Sequence, residues 1–127
     1  MSVNVKQFQP KALNERAFDY YSRLSRIKQY VEANYSEQIS LDVAARIAAM
    51  ETTYFSTFFH SKVGITFREW LRQVRVAKAI DLMTSKDYSV SEIAYAVGFG
   101  DLRTFERAFK RVVGTTPFEY KKTVRPC

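Results

Sequence analysis

EIAYAVGFGDLRTFERAFKRVVGTTPFEYKK, residues 92–122, is a run of three helical segments punctuated by glycine and by capping residues. Just before it, Ser89-x-x-Glu92 has the form of a capping box, in which a hydroxyl and a carboxylate satisfy each other's backbone N–H groups. This predicts a helix from Val90 to Val97, closed by Gly98, which tolerates the left-handed backbone of a tight turn. The next helix is predicted from Leu102 to Val113. Phe105, Ala108, Phe109 and Val112 recur at steps of three and four and face inward. Gly114 ends it. Thr116-Pro117-Phe118-Glu119 is another capping box, with proline at the first helical position, where its missing N–H is harmless.

The chain contains this pattern twice. Phe55, Phe59, Gly64, Thr66 and Glu69 recur fifty residues later as Phe105, Phe109, Gly114, Thr116 and Glu119. Upstream of the turn the offset is one shorter, since Ala45, Ala49 and Met50 match Ala94, Gly98 and Phe99. The second turn therefore carries one extra residue. The small Ala45 and Ala94 allow two helices to approach closely. Helix, tight turn, helix is the layout whose second helix enters a DNA major groove. Helical protein-interaction bundles share the pattern.

The remaining segments are also helical. Residues 15–34 carry Leu24, Ile27, Tyr30 and Val31 at helical spacing, so one helix is predicted there. Ser40 reads as an N-cap for LDVAARIAA (41–49), with Leu41, Ala44, Ala45 and Ala48 on one face. A helix from Thr52 or Thr53 to Val63 turns Phe55, Phe58, Phe59 and Val63 inward. Thr66-x-x-Glu69 opens a long helix over about 67–84, with a stripe of Phe67, Leu71, Val74, Ala77 or Lys78, and Leu82. No stretch reads as a strand. The fold class is all-α, with about seven helices in two helix-turn-helix subdomains joined by a long linker helix. The expected boundaries are a loose arm (1–13), a first lobe (14–66), the linker (67–85), a second lobe (86–122) and a frayed basic tail (123–127).

Composition narrows the function. The chain has 127 residues, a formal net charge of +7, 46% apolar and 26% charged residues. That size supports a real core, and the charge points to an anionic partner, nucleic acid or an acidic membrane surface. Membrane binding is disfavoured, because the apolar stripes are needed for the core. The single cysteine, Cys127, excludes an internal disulfide and suits a reducing cytoplasm. No apolar run approaches the ~20 residues of a membrane span, and the first residues lack the apolar core of a signal peptide. With one histidine, His60, and no phosphate loop or carboxylate cluster, neither an enzyme nor a metal or cofactor site is expected.

The second repeat also resembles the signature of the AraC/XylS family of bacterial transcription regulators. The resemblance rests on Ile93-Ala94, Gly98-Phe99, Phe105-Glu106-Arg107-Ala108-Phe109-Lys110, Gly114-Thr115-Thr116-Pro117 and Tyr120-Lys121, with spacing kept. Phe67, Leu71, Arg75, Ala79 and Leu82-Met83 match the family's linker helix. The resemblance covers about residues 24–122. It implies seven helices, a reading helix from each lobe in one of two successive major grooves, activation as the commoner mode, and RNA polymerase as a further partner. Ala49 departs from the usual glycine; a left-handed alanine costs on the order of 1 kcal/mol, so a slightly rebuilt first turn is expected. Lys121 stands where arginine is usual. The resemblance leads to the expectation of a small stand-alone member without an effector domain; a piece of a longer effector-responsive regulator is the alternative.

In the first lobe Thr53, Ser56, Thr57 and His60 lie opposite the buried phenylalanines. They match the family's base-contacting positions. Hydroxyls both donate and accept, so they discriminate bases poorly. Thr53 reads equally as an N-cap, and His60 as a surface or phosphate contact. In the second lobe the outward face is Leu102, Arg103, Glu106 and Arg107. Arginine can bind guanine O6 and N7 bidentately, and Glu106 can accept from cytosine N4 or hold a neighbouring arginine. Phosphate contacts are expected at Thr52, Lys62, Lys110, Arg111, Thr116 and Lys121, helped by backbone N–H groups at helix N-termini. Two unlike reading helices in one chain predict a monomer on an asymmetric double-stranded DNA site.

Overall fold

The computed structural model describes residues 13–124, so most of the expected arm and residues 125–127 lie outside the described residues. Among the described residues eight helices follow one another: α1 (Arg16–Tyr20), α2 (Ser22–Asn34), α3 (Leu41–Ile47), α4 (Thr52–Val63), α5 (Phe67–Ser85), α6 (Val90–Ala96), α7 (Leu102–Val113) and α8 (Pro117–Val124). They form two compact units, which meet in sequence within α5, between Leu71 and Arg72. No strand occurs among the described residues.

The first unit holds α1 to α4 and the start of α5. The helix expected over 15–34 is two helices, because Tyr21 is extended (φ −100°, ψ 116°). At about 100° per residue, an unbroken helix would carry Phe18 roughly 150° away from the Leu24–Ile27–Val31 stripe. The break lets both be buried. Phe18 reaches Phe59 and Trp70, with ring centroids 5.9 and 4.9 Å away. The segment is pinned at its start by Asn14, whose backbone N–H donates to the Val63 carbonyl and whose side chain donates to the Lys62 carbonyl. Phe59 is the hub of this core, with Phe55, Phe67 and Trp70 within 5.8 Å of its centroid. Phe58, expected inside, is only half-buried.

The first turn was expected to be rebuilt around Ala49, and it is not. Ala49 itself adopts the left-handed region, φ 59°, against φ 102° at Gly98. Both turns make the same pair of bonds: Ala49 N–H to Arg46 and Met50 N–H to Ala45, then Gly98 N–H to Tyr95 and Phe99 N–H to Ala94. Two closing hydrogen bonds outweigh a strain of on the order of 1 kcal/mol.

The second unit contains the rest of α5 with α6, α7 and α8. The stripe expected along α5 changes face. Phe67, Trp70 and Leu71 are buried, but the next buried residues are Val76, Ala79, Ile80 and Met83. Val74 and Leu82 are only half-buried and Ala77 is exposed. A step of five from Leu71 to Val76 breaks the three-four rhythm because the two halves of the helix serve different cores. Both capping boxes expected here are present, Ser89 with Glu92 and Thr116 with Glu119. The tail expected to fray from residue 123 is helical as far as Val124, because Tyr120 is buried against Phe109, 5.6 Å away.

Candidate nucleic-acid interface

The helix-turn-helix of the first unit is α3 packed on α4, and that of the second is α6 packed on α7. Phe55, Phe59 and Val63 bury one side of α4; Phe105, Ala108 and Phe109 bury the matching side of α7. The opposite face of α4 carries Thr53, Thr57 and His60, all exposed, with Ser56 half-buried. Fifty residues on, Arg103, Arg107 and Lys110 are exposed and Glu106 is half-buried, as is Leu102. The expected reading residues thus share one face on each helix. One face is hydroxyl-rich and nearly uncharged; the other is cationic.

Both helices begin with an acidic cap. Glu51, exposed, accepts from the Tyr54 N–H at 2.9 Å, so Thr53 is not the N-cap. That bond holds the Glu51 carboxyl below its usual range, with smaller help from Thr53. Asp101 accepts from the Thr104 N–H at 2.8 Å and the Thr104 hydroxyl at 3.0 Å. Those bonds, and more weakly the Arg107 charge, lower its pKa. Thr116 donates its N–H to Glu119 and accepts the Glu119 N–H in return. The Thr116 N–H chiefly lowers the Glu119 pKa, with Lys110 and Lys122 contributing charge. At each of these three helix starts, at least one backbone N–H is therefore engaged by a carboxylate or hydroxyl cap.

The expected phosphate contacts fall into two groups. Lys110 and Arg111 are exposed on α7. They border an open groove of about 690 Å³ whose other walls include Arg72, Arg107, Thr116 and Phe118. The rest are tethered. Thr52 donates its hydroxyl to Asp42 at 2.8 Å. Lys121 donates its ammonium to the Tyr88 carbonyl at 2.6 Å, tying α8 to the loop before α6. The Lys62 ammonium sits 5.5 Å from the Tyr21 ring centroid and 6.0 Å from that of Phe58. Arg75 is half-buried over the Phe99 ring, 5.9 Å from its centroid, and desolvation lowers its pKa.

Sequence reasoning missed two features. Tyr54, on α4 beside Thr53, is 58% exposed. Arg72, in α5, joins the basic groove. The helical period marks neither, because it ranks positions by the face they share with the core and says nothing of an aromatic that stays outside.

A family model described as a helix-turn-helix domain matches residues 44–123, which takes in α4 to α7 whole. The chain belongs to the AraC/XylS family of helix-turn-helix DNA-binding domains. Among its relatives is the transcriptional activator RhaS of Salmonella arizonae, 27% identical over 87% of this chain and 40% of RhaS. The DNA-binding domain of the global transcriptional factor AdpA, solved with a target DNA, is 28% identical with a TM-score of 0.74. That match covers 80% of this chain and 95% of the AdpA domain. The C-terminal domain of the response regulator AraT from Geobacillus stearothermophilus is 29% identical with a TM-score of 0.76, over 81% of this chain and 86% of AraT's. The chain spans about a third to just under half of the length of the curated relatives it matches. Met50 runs directly into the Glu51 cap of the first turn, so the extra residue of the second is Gly100, placed between Phe99 and the Asp101 cap. Among the described residues no group of three or more His, Cys, Asp or Glu is placed to hold a metal ion, and no helix is long and apolar enough to cross a membrane.

Proposed function

We propose that the chain binds a specific double-stranded DNA site in the bacterial cytoplasm and regulates transcription, α4 reading one major groove and α7 the next. The observation that carries this reading is the exposed cationic face of α7, Arg103 and Arg107 with Lys110, on the helix that a helix-turn-helix presents to DNA. Arg103 and Arg107 are the base readers of this lobe, Leu102 meets a thymine methyl, and Glu106 accepts from cytosine. Thr53, Ser56, Thr57 and His60 read more loosely. Lys110 and Arg111 take phosphate directly. Thr52, Thr116, Lys62 and Lys121, held by their own neighbours, act mainly by fixing the surface.

Two reading faces this unlike fit an asymmetric site bound by one monomer. Activation through contact with RNA polymerase is the proposed mode of regulation; RhaS, a relative, is a transcriptional activator. Selection of bound duplexes from a random pool tests the reading and returns an asymmetric consensus. Salt titration on the selected duplex gives a negative log–log slope, about −0.9 for each phosphate that a cation neutralises. No enrichment, or a flat salt response, overturns it.

A further inference from the structure

The two reading helices differ most on one flank. At about 100° per residue, Tyr54, Phe58 and Ser61 lie along α4 on the side next to Thr53 and Thr57. Their counterparts fifty residues on are Thr104, Ala108 and Arg111. In the second unit that flank lines the basic groove together with Arg72, Arg103 and Arg107. A flank walled by arginines beside a reading face is suited to the phosphates that edge a major groove. In the first unit the same flank carries rings. Tyr54 stacks on Phe58, with centroids 6.0 Å apart and planes at 26°. Phe58 meets the edge of Tyr21 at 5.3 Å, and Lys62 lies over both Tyr21 and Phe58. These rings line a shallow concavity with Met50, Ser22 and Arg23. The Tyr54 ring thus lies against a backed neighbour although the residue is 58% exposed. Its counterpart Thr104 is spent on the Asp101 cap.

We propose that Tyr54 is a DNA-contacting residue of the first lobe, its ring covering a deoxyribose and its phenolic hydroxyl donating to a backbone phosphate, with Phe58 as its positioning residue. The inference rests on the proposed DNA binding by α4. A side chain roughly 110° from the mean direction of Thr53, Ser56, Thr57 and His60, on a helix that fills the groove, meets the groove wall, which is sugar and phosphate. A phenol supplies a hydrogen bond without charge, so it anchors the lobe without releasing a counterion.

The test measures affinity of the wild-type chain and of Tyr54→Phe, Tyr54→Ala and Phe58→Leu for the duplex selected on wild type. Each protein is also titrated with salt and measured against single-base variants of that duplex, and its thermal unfolding is followed. Tyr54→Phe is expected to weaken binding about 3- to 10-fold, as loss of one hydrogen bond does. It should do so equally on every base variant, with the salt slope unchanged. Tyr54→Ala weakens binding further in the same uniform way, and Phe58→Leu falls between wild type and Tyr54→Ala while remaining folded. The salt slope separates this from a cationic contact, whose loss lowers it by about one. Wild-type affinity in both Tyr54 variants overturns the proposal. So does a change of base preference confined to one position, which would make Tyr54 a base reader. Failure of the wild-type chain to bind any duplex overturns the DNA-binding reading itself, and this inference with it.

Discussion

The two lobes are built on one plan and spend their side chains differently. The first invests in its interior, where Phe18, Phe55, Phe59, Phe67 and Trp70 form one cluster around α4. Its reading face is left with hydroxyls. The second has a smaller aromatic core, Phe99, Phe105, Phe109 and Tyr120 in a row. Its reading face carries the cations. On the proposed reading, the second lobe discriminates between bases more sharply, and the first reads more loosely from a firmly packed platform.

The strongest way to break this contrast is to remove the central ring from each core. Phe59→Ala should cost roughly 3–5 kcal/mol of stability, and Phe109→Ala, which loses fewer ring partners, should fall nearer the lower end. Thermal and denaturant unfolding compare them; a larger loss for Phe109→Ala would reverse the assignment of the platform. Next come the readers. Arg103→Ala and Arg107→Ala should each relax discrimination by about 1–3 kcal/mol at one or two base positions in one half of the site. Thr53→Ala and Ser56→Ala should change the base profile less. If both arginine variants weaken every sequence by a common factor, specificity must be sought in the first lobe or in DNA deformation.

The turns sharpen the comparison at a smaller scale. Gly98→Ala places a side chain at φ 102° and should destabilise by about 1–2 kcal/mol. Ala49→Gly relieves strain at φ 59°, but it also frees the unfolded chain, so the net change should be under about 1 kcal/mol. Equal and opposite effects of the two swaps would mean that the turns are interchangeable. The smallest effect is expected from acid. Glu51, Asp101 and Glu119 have folded pKa values below their ordinary 4.5, 3.8 and 4.5. Their contribution is complete above those ordinary values and is lost as pH falls through the lower folded ones. The loss of these three caps should therefore lower the melting temperature only below about pH 5, and by less in Asp101→Asn.

What was legible in the sequence was local. Ser40, Ser89 and the Thr116–Glu119 box act within four residues, so a pattern of neighbours suffices to place them. The fifty-residue repeat located both turns and the extra residue of the second. What could not be read depends on distant partners. The break at Tyr21 follows from Phe18 seeking Phe59 and Trp70, residues some forty to fifty positions away. The change of face along α5 follows from a helix shared by two cores, which no single period describes. In the site, the outward positions of α4 and α7 were visible as the complement of their buried stripes. The tether of Lys121 to Tyr88 and the packing of Tyr21 against Phe58, which backs the Tyr54 stack, were not, because each joins segments that only the fold brings together.

The inserted residue of the second turn opens a practical route into the complex. A Cβ added at Gly100 would meet nothing within 4 Å, and its backbone lies outside the left-handed region. Cys127 is the chain's only thiol. A Gly100→Cys, Cys127→Ser protein would therefore offer a single attachment point one residue ahead of the Asp101 cap. A chelate that generates hydroxyl radicals, coupled there, would cut the bound duplex where α7 enters it, and the cleavage ladder would orient the chain on its site nucleotide by nucleotide.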